Sequence, residues 1–170
     1  MRELVPHNYD IIMDDHGKGE SADVVTIRLI GHDRVNPSEI AVEFYHLKKS
    51  GGPRSGARID DLYEVCGQAQ KSILWMFSEG KATDLFTHLL RREGHRRHAN
   101  NPTRFEVGNH DLLVTISEMS MMCKVSLNIF VVQPGLSKTH ASREQLELLS
   151  VTENYLKETY QLSFGIIASE

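Results

Sequence analysis

Two cysteines, Cys66 and Cys123, are all that the 170 residues hold. They stand far apart in no pairing or zinc-ligand spacing, which excludes a disulfide framework and a structural zinc site and fits a reducing cytoplasm. No apolar run approaches the roughly 20 residues needed to cross a bilayer, and Met1 to Asp10 lack the basic start and apolar stretch of a secretory signal. A cytoplasmic protein with no membrane partner is expected. No GxxxxGK[ST] loop occurs, so ATP binding by this chain is not expected. A basic excess is also missing: the formal net charge is -4, which argues against a protein that simply coats phosphate. Repeats, low-complexity tracts and long linkers are absent, and the length suits one core, so residues 1–170 are read as a single domain.

The charges are unevenly spread. Asp14, Asp15, Glu20 and Asp23 gather early, while basic residues gather in His46 to Arg58 and in Arg91 to His98. Either these are solvated faces, or they are the two sides of a site that handles metal and phosphate.

The order of elements is strands, helices, strand, helix, strand. Tyr9 to Met13 and Asp23 to Ile30 read as antiparallel neighbours separated by a turn rich in Asp, His and Gly. Ile40 to Lys48 is a third strand, apolar on both faces as a central strand should be. Residues 51–58 form a basic, glycine-rich loop, and a helix follows from Asp60 to about Phe77. Its apolar stripe is Leu62, Val65, Ala69, Ile73 and Met76, while Glu64, Gln68, Lys71 and Trp75 share another stripe. Helices over Ala82 to Arg92 and Asn109 to Cys123 precede a strand from Lys124 to Val132 that ends at Gln133, Pro134 and Gly135. Ser142 and Gln145 form a capping box for a helix to about Tyr160, and Ser163 to Ala168 is the last strand. Strands joined through a long helix are expected to run parallel. The fold class is α/β, a mixed sheet flanked by helices.

Phosphodiester cleavage requires a metal held by carboxylates and a cation near the phosphate. Asp23 heads the second strand and Lys48 ends the third; an antiparallel hairpin brings these ends together. His46 and Lys48, two apart, project to one face, and Glu43 and Tyr45 to the other. Lys49, Arg54 and Arg58 adjoin this strand end and could contact phosphate. Arg91, Arg92, Arg96 and Arg97 either contact phosphate too or are surface charges at a helix end. Trp75, the one tryptophan, either packs in the core or stacks on a base.

The segment Gly19-Glu20-Ser21-Ala22-Asp23-Val24-Val25, followed by Glu43-Phe44-Tyr45-His46-Leu47-Lys48-Lys49-Ser50, resembles the PD-(D/E)XK, or restriction-endonuclease-like, nuclease superfamily. The nearest resemblance is to domains associated with helicases in bacterial restriction and anti-phage systems. Gly56 to Ser72 is similar to the helix that follows the catalytic strands there, and Val132 to Lys138 and Gln145 to Leu149 are similar to the tails of such domains.

The resemblance implies a restriction-endonuclease-like fold and an endonuclease acting on DNA with Mg²⁺ or Mn²⁺. Asp23 is then a metal ligand, with Glu20 or Asp14 as a second carboxylate, and Lys48 orients water or stabilises the transition state. His46 stands where the family usually has Glu, offering a nitrogen in place of a carboxylate. Gln68 and Lys71 resemble auxiliary polar residues beside such sites, and Lys49, Ser50, Arg54, Arg58 and Lys71 are the implied contacts to nucleic acid. A helicase domain or subunit is the implied partner, with this chain a C-terminal piece of a larger helicase-nuclease. The departure at His46 and the acidic net charge leave a second reading open: a nuclease-fold module that binds nucleic acid or a partner without cutting.

Overall fold

A computed structural model describes residues 8–33, 35–48, 59–77 and 82–169. The strands are β1 (Ile11–Asp14), β2 (Val24–Ile30), β3 (Glu39–Leu47), β4 (Phe105–Val107), β5 (Lys124–Ser137) and β6 (Ser163–Ser169). The helices are α1 (Asp60–Lys71), α2 (Leu74–Phe77), α3 (Ala82–His98), α4 (His110–Met119) and α5 (Arg143–Asn154), the last running into a π-helical turn at Tyr155–Thr159.

One six-stranded mixed sheet has the order β4-β1-β2-β3-β5-β6. β2 pairs antiparallel with β1 and β3, as expected of hairpin neighbours, whereas β3/β5 and β5/β6 are parallel pairs whose connections carry helices. β3 lies between β2 and β5, which accounts for its apolar residues on both faces. Strand alternation puts Val25 and Ile27 of β2, Ile40, Val42 and Phe44 of β3, and Leu127, Ile129 and Val131 of β5 on one face. Leu62 and Val65 of α1, Phe86 and Leu89 of α3, Leu113 and Ile116 of α4 and Leu149 of α5 join them in a single core. Each such side chain, fully buried, stabilises the fold by about 1.5–3 kcal/mol.

The opposite face is held by polar bonds. Glu43 Oε2 accepts hydroxyl protons from Tyr45 at 2.7 Å, Tyr9 at 3.1 Å and Thr26 at 3.2 Å. Tyr45 also stacks on Phe130, with ring centroids 4.9 Å apart. Glu43 and Tyr45 thus point away from His46, as their spacing predicts.

Several boundaries differ from the sequence reading. The helix expected from Asp60 to Phe77 breaks after Lys71, because the Ser72 hydroxyl turns back to the Gln68 carbonyl at 3.2 Å and is also engaged by His46. Ile73 and Met76 still reach the core across the break. α3 runs on to His98, past Arg92, which is ion-paired with Asp15, and past buried Glu93, which accepts from the Thr103 hydroxyl and the Arg104 N–H. β4 is an added edge strand paired with β1. β5 continues through Pro134 and Gly135 to Ser137, where its register against β6 shifts; a bulge beyond the end of β3 is a place where a strand tolerates proline. Among the described residues, no helix is long and apolar enough to cross a membrane.

Candidate metal centre and cleft

Three side chains converge beside the start of β2. The Asp23 N–H donates to the Tyr45 carbonyl at 3.1 Å, extending the β2/β3 ladder by one residue and setting Asp23 opposite His46. Its carboxylate bridges the strand ends: Oδ2 accepts the Leu47 N–H at 2.7 Å, and Oδ1 lies 2.8 Å from His16 Nδ1. Glu20 Oε2 accepts the Gly17 N–H at 2.6 Å and is 3.3 Å from His16 Nδ1. One ligand atom from each of His16, Glu20 and Asp23 lies within 4.8 Å of the other two, a spacing a single divalent cation can span. The hydrogen bond to Asp23 is the main cause that raises the pKa of His16, followed among the favourable causes by the charges of Glu20, Asp23 and Asp14. These neighbours favour the imidazolium form of His16, whose charge then offsets the two carboxylates.

The loop that delivers His16 and Glu20 is built for a tight reversal. Gly17 and Gly19 have φ of 121° and 81°, in the region that favours glycine. Beneath the loop, Asp15 is fully buried and accepts both the N–H and the hydroxyl of Ser21 at 2.8 Å. Its other oxygen is ion-paired with Arg92 of α3. The same guanidinium donates to the carbonyls of Asp15 at 2.5 Å and Lys18 at 2.8 Å. Arg104 donates to the Asp14 carbonyl at 2.8 Å, and His88 Nε2–H to the Gly19 carbonyl at 2.9 Å. The arginine cluster considered for phosphate contact thus splits: Arg92 turns inward as a brace, and Arg96 donates to the Pro102 carbonyl at 2.8 Å, while Arg91 and Arg97 are exposed.

Asp14 lies at the end of β1, and its carboxylate accepts the His16 N–H at 3.0 Å. It is outside the group of three ligand atoms. Lys48, next to Asp23 in the expected site, is ion-paired with Glu64 of α1 at 2.6 Å, and this bond is the main cause that raises its pKa. Lys49, Ser50, Arg54 and Arg58 lie outside the described residues.

His46 is 3% exposed, edge-on to Phe44, with Nε2 at 2.7 Å from Ser72 Oγ. Burial pushes its pKa down to about 4, against the pull of Asp23, so the ring is neutral at pH 7. The Ser72 hydroxyl lies between His46 Nε2 and the Gln68 carbonyl, 3.2 Å away, and so ties the ring to α1.

Between the braced loop and α1–α2 lies a cleft of about 800 Å³ whose walls include His16, Glu20, His46, Gln68, Lys71 and Trp75. It joins His16 and Glu20 of the triad to the predicted Gln68/Lys71/Trp75 stripe. Gln68 Oε1 is buried there with no hydrogen-bond partner, Lys71 is exposed at the rim, and Trp75 packs on His88 with centroids 4.5 Å apart. His16 is the residue that sequence reasoning missed. Its signal was a histidine among acidic residues and glycines, in a turn noted only for its composition. Comparison of the chain with protein-family models, with curated proteins and with solved structures gave no match in any of the three.

Proposed function

We propose that this chain is a metal-dependent nuclease of restriction-endonuclease-like fold, hydrolysing phosphodiester bonds at the cleft. The observation that carries the reading is the convergence of Asp23 Oδ1, Glu20 Oε2 and His16 Nδ1 at the end of the strand pair that also bears His46 and Lys48. Two carboxylates and one imidazole suit Mn²⁺ and accommodate Mg²⁺. A cation bound there would supply Lewis acidity toward a phosphate oxygen and lower the pKa of water. Asp23 holds its carboxylate fixed through the Leu47 amide, and Glu20 holds its own through the Gly17 amide, so neither has to reorganise on binding. Lys48, released from Glu64, provides a positive charge for the phosphate, and Lys71 a second one at the rim. Neutral His46 adds no charge and offers a nitrogen where a carboxylate would otherwise stand. Under this reading the substrate is DNA and the setting is restriction or phage defence beside a helicase domain or subunit, as the resemblance of these segments implies.

The Lys48–Glu64 pair supports a second reading, a nuclease-fold module that binds nucleic acid or a partner without cutting, because it leaves the catalytic cation occupied by a protein carboxylate. Supercoiled plasmid and a labelled single strand, incubated with Mg²⁺, Mn²⁺ or EDTA, separate the two. Metal-dependent cutting by the parent protein, lost in Asp23→Ala and in Lys48→Ala, is the expected result. Cutting that survives both substitutions overturns the site assignment. No cutting with any ion, together with binding that EDTA leaves unchanged, overturns the enzyme in favour of the module.

A further inference from the structure

Resting on the nuclease reading, we infer that the cleft is a pocket for one unpaired nucleobase of a single strand, with Trp75 as its stacking face and Gln68 Oε1 as the acceptor for an N–H on the base edge. Trp75 lies in the short turn after the break in α1, half-buried and packed on the core. His88 backs its ring at 4.5 Å and is pinned by its bond to the Gly19 carbonyl. Burial keeps His88 below its ordinary pKa, so a neutral ring supports the indole. A held aromatic ring facing a cleft stacks on any base, since every base has a π-face.

The Gln68 acceptor supplies the second, independent observation. Gln68 lines the cleft with its carbonyl oxygen buried and without a donor, which is uncommon and unfavourable; rotation of the amide toward the cleft lets a donor arriving with a ligand remove that penalty. Exocyclic amines of adenine, cytosine and guanine and the N3–H of thymine are such donors; a glutamine amide reads adenine in two bonds, and the larger adenine ring system stacks more strongly on an indole than thymine does. Lys71, at the rim of the same cleft, is placed to meet the phosphate that follows the base. In a duplex both faces of each base are stacked, so an indole platform selects an unpaired base.

The chain has one tryptophan, so its emission reports on the pocket directly. The intact protein in EDTA, where neither cleavage nor ion binding contributes, is titrated with an adenine single strand, a thymine single strand and the duplex of the two. Saturable quenching by the adenine strand, several-fold weaker quenching by the thymine strand and none by the duplex is the expected result. No quenching by the adenine strand, or equal quenching by the duplex, overturns the pocket. Anisotropy of a labelled adenine strand then tests the side chains. Trp75→Ala weakens binding about tenfold and Trp75→Phe recovers most of it, while Gln68→Leu weakens binding of the adenine strand and narrows its advantage over thymine. Failure of Trp75→Phe to recover binding assigns Trp75 to packing and overturns the inference. Quenching that persists in a protein unable to cut with any ion counts only against the nuclease, and cutting without quenching counts only against the pocket.

Discussion

The two walls of the cleft are held in opposite ways. On the loop side the polar groups are closely paired: Asp15 with Ser21 and Arg92, the loop carbonyls with Arg92, Arg104 and His88, and Glu20 with the Gly17 amide. On the helix side α1 breaks at Ser72, Gln68 Oε1 has no partner, Leu74 is largely exposed, and Trp75 is half-buried. A wall that must present three ligand atoms within 4.8 Å of one another requires fixed geometry, and buried charge networks supply it. A wall that receives a variable ligand can leave groups unpaired until the ligand arrives.

The largest expected effect comes from breaking the braced wall. Arg92→Ala strands a fully buried Asp15 carboxylate and lowers stability by about 3–5 kcal/mol, measured by urea unfolding. Arg92→Lys is expected to recover only part of this, because one ammonium cannot reach the carboxylate and the loop carbonyls together. Unchanged stability in Arg92→Ala would mean that the loop is held by its other contacts.

Two histidines of the same cleft sharpen the comparison through pH. His46 has its folded pKa depressed from 6.5 to about 4 by burial, so between those values the unfolded chain takes up a proton that the folded chain does not. Its contribution is complete above about pH 6.5 and falls by about 3 kcal/mol on acidification to about pH 4. His46→Gln flattens that slope in acid unfolding curves. His16 has the opposite sign: its folded pKa is raised, so its contribution is complete below the unfolded value of 6.5 and is lost as pH rises through the folded one. NMR titration should find the His16 ring titrating above 6.5 and the His46 ring near 4. Convergence of the two values would contradict the cleft geometry.

A smaller effect is expected on the helix wall. Gln68→Leu removes a buried acceptor without a partner, so its stability should be unchanged or raised, by up to about 1–3 kcal/mol. A loss of more than about 1 kcal/mol on thermal unfolding would show that the amide is anchored after all. The smallest effect belongs to Glu64→Gln, which opens the partly exposed Lys48 pair with little change in stability. Its use lies in activity, where freeing Lys48 should raise cleavage in the assay above.

Much of the scaffold was legible because its determinants are local. The Ser142/Gln145 capping box forms with both of its bonds, the β2/β3 hairpin sets Asp23 opposite His46, and the Gln68–Lys71–Trp75 stripe reaches one cleft. Less legible were the features that depend on distant partners. α3 extends past Arg92 because Asp15, far earlier in the chain, captures that side chain, and α1 ends early because His46 engages Ser72. Lys48 lies at the strand end where the spacing puts it, yet its ammonium is taken by Glu64, since the hairpin fixes a backbone position and leaves the long side chain free to choose among carboxylates.

The sequence by itself therefore determined most of the strands and helices, though not β4 or the break after Lys71, and which residues share a face. Burial periodicity and capping bonds act within a few residues. Only the tertiary structure decided that His16 joins Glu20 and Asp23, that Arg92 is a brace and that Gln68, lining the cleft, has its Oε1 buried without a partner. The partner of a charged or polar side chain depends on which distant segment folding brings within about 3 Å of it, and no local pattern encodes that distance.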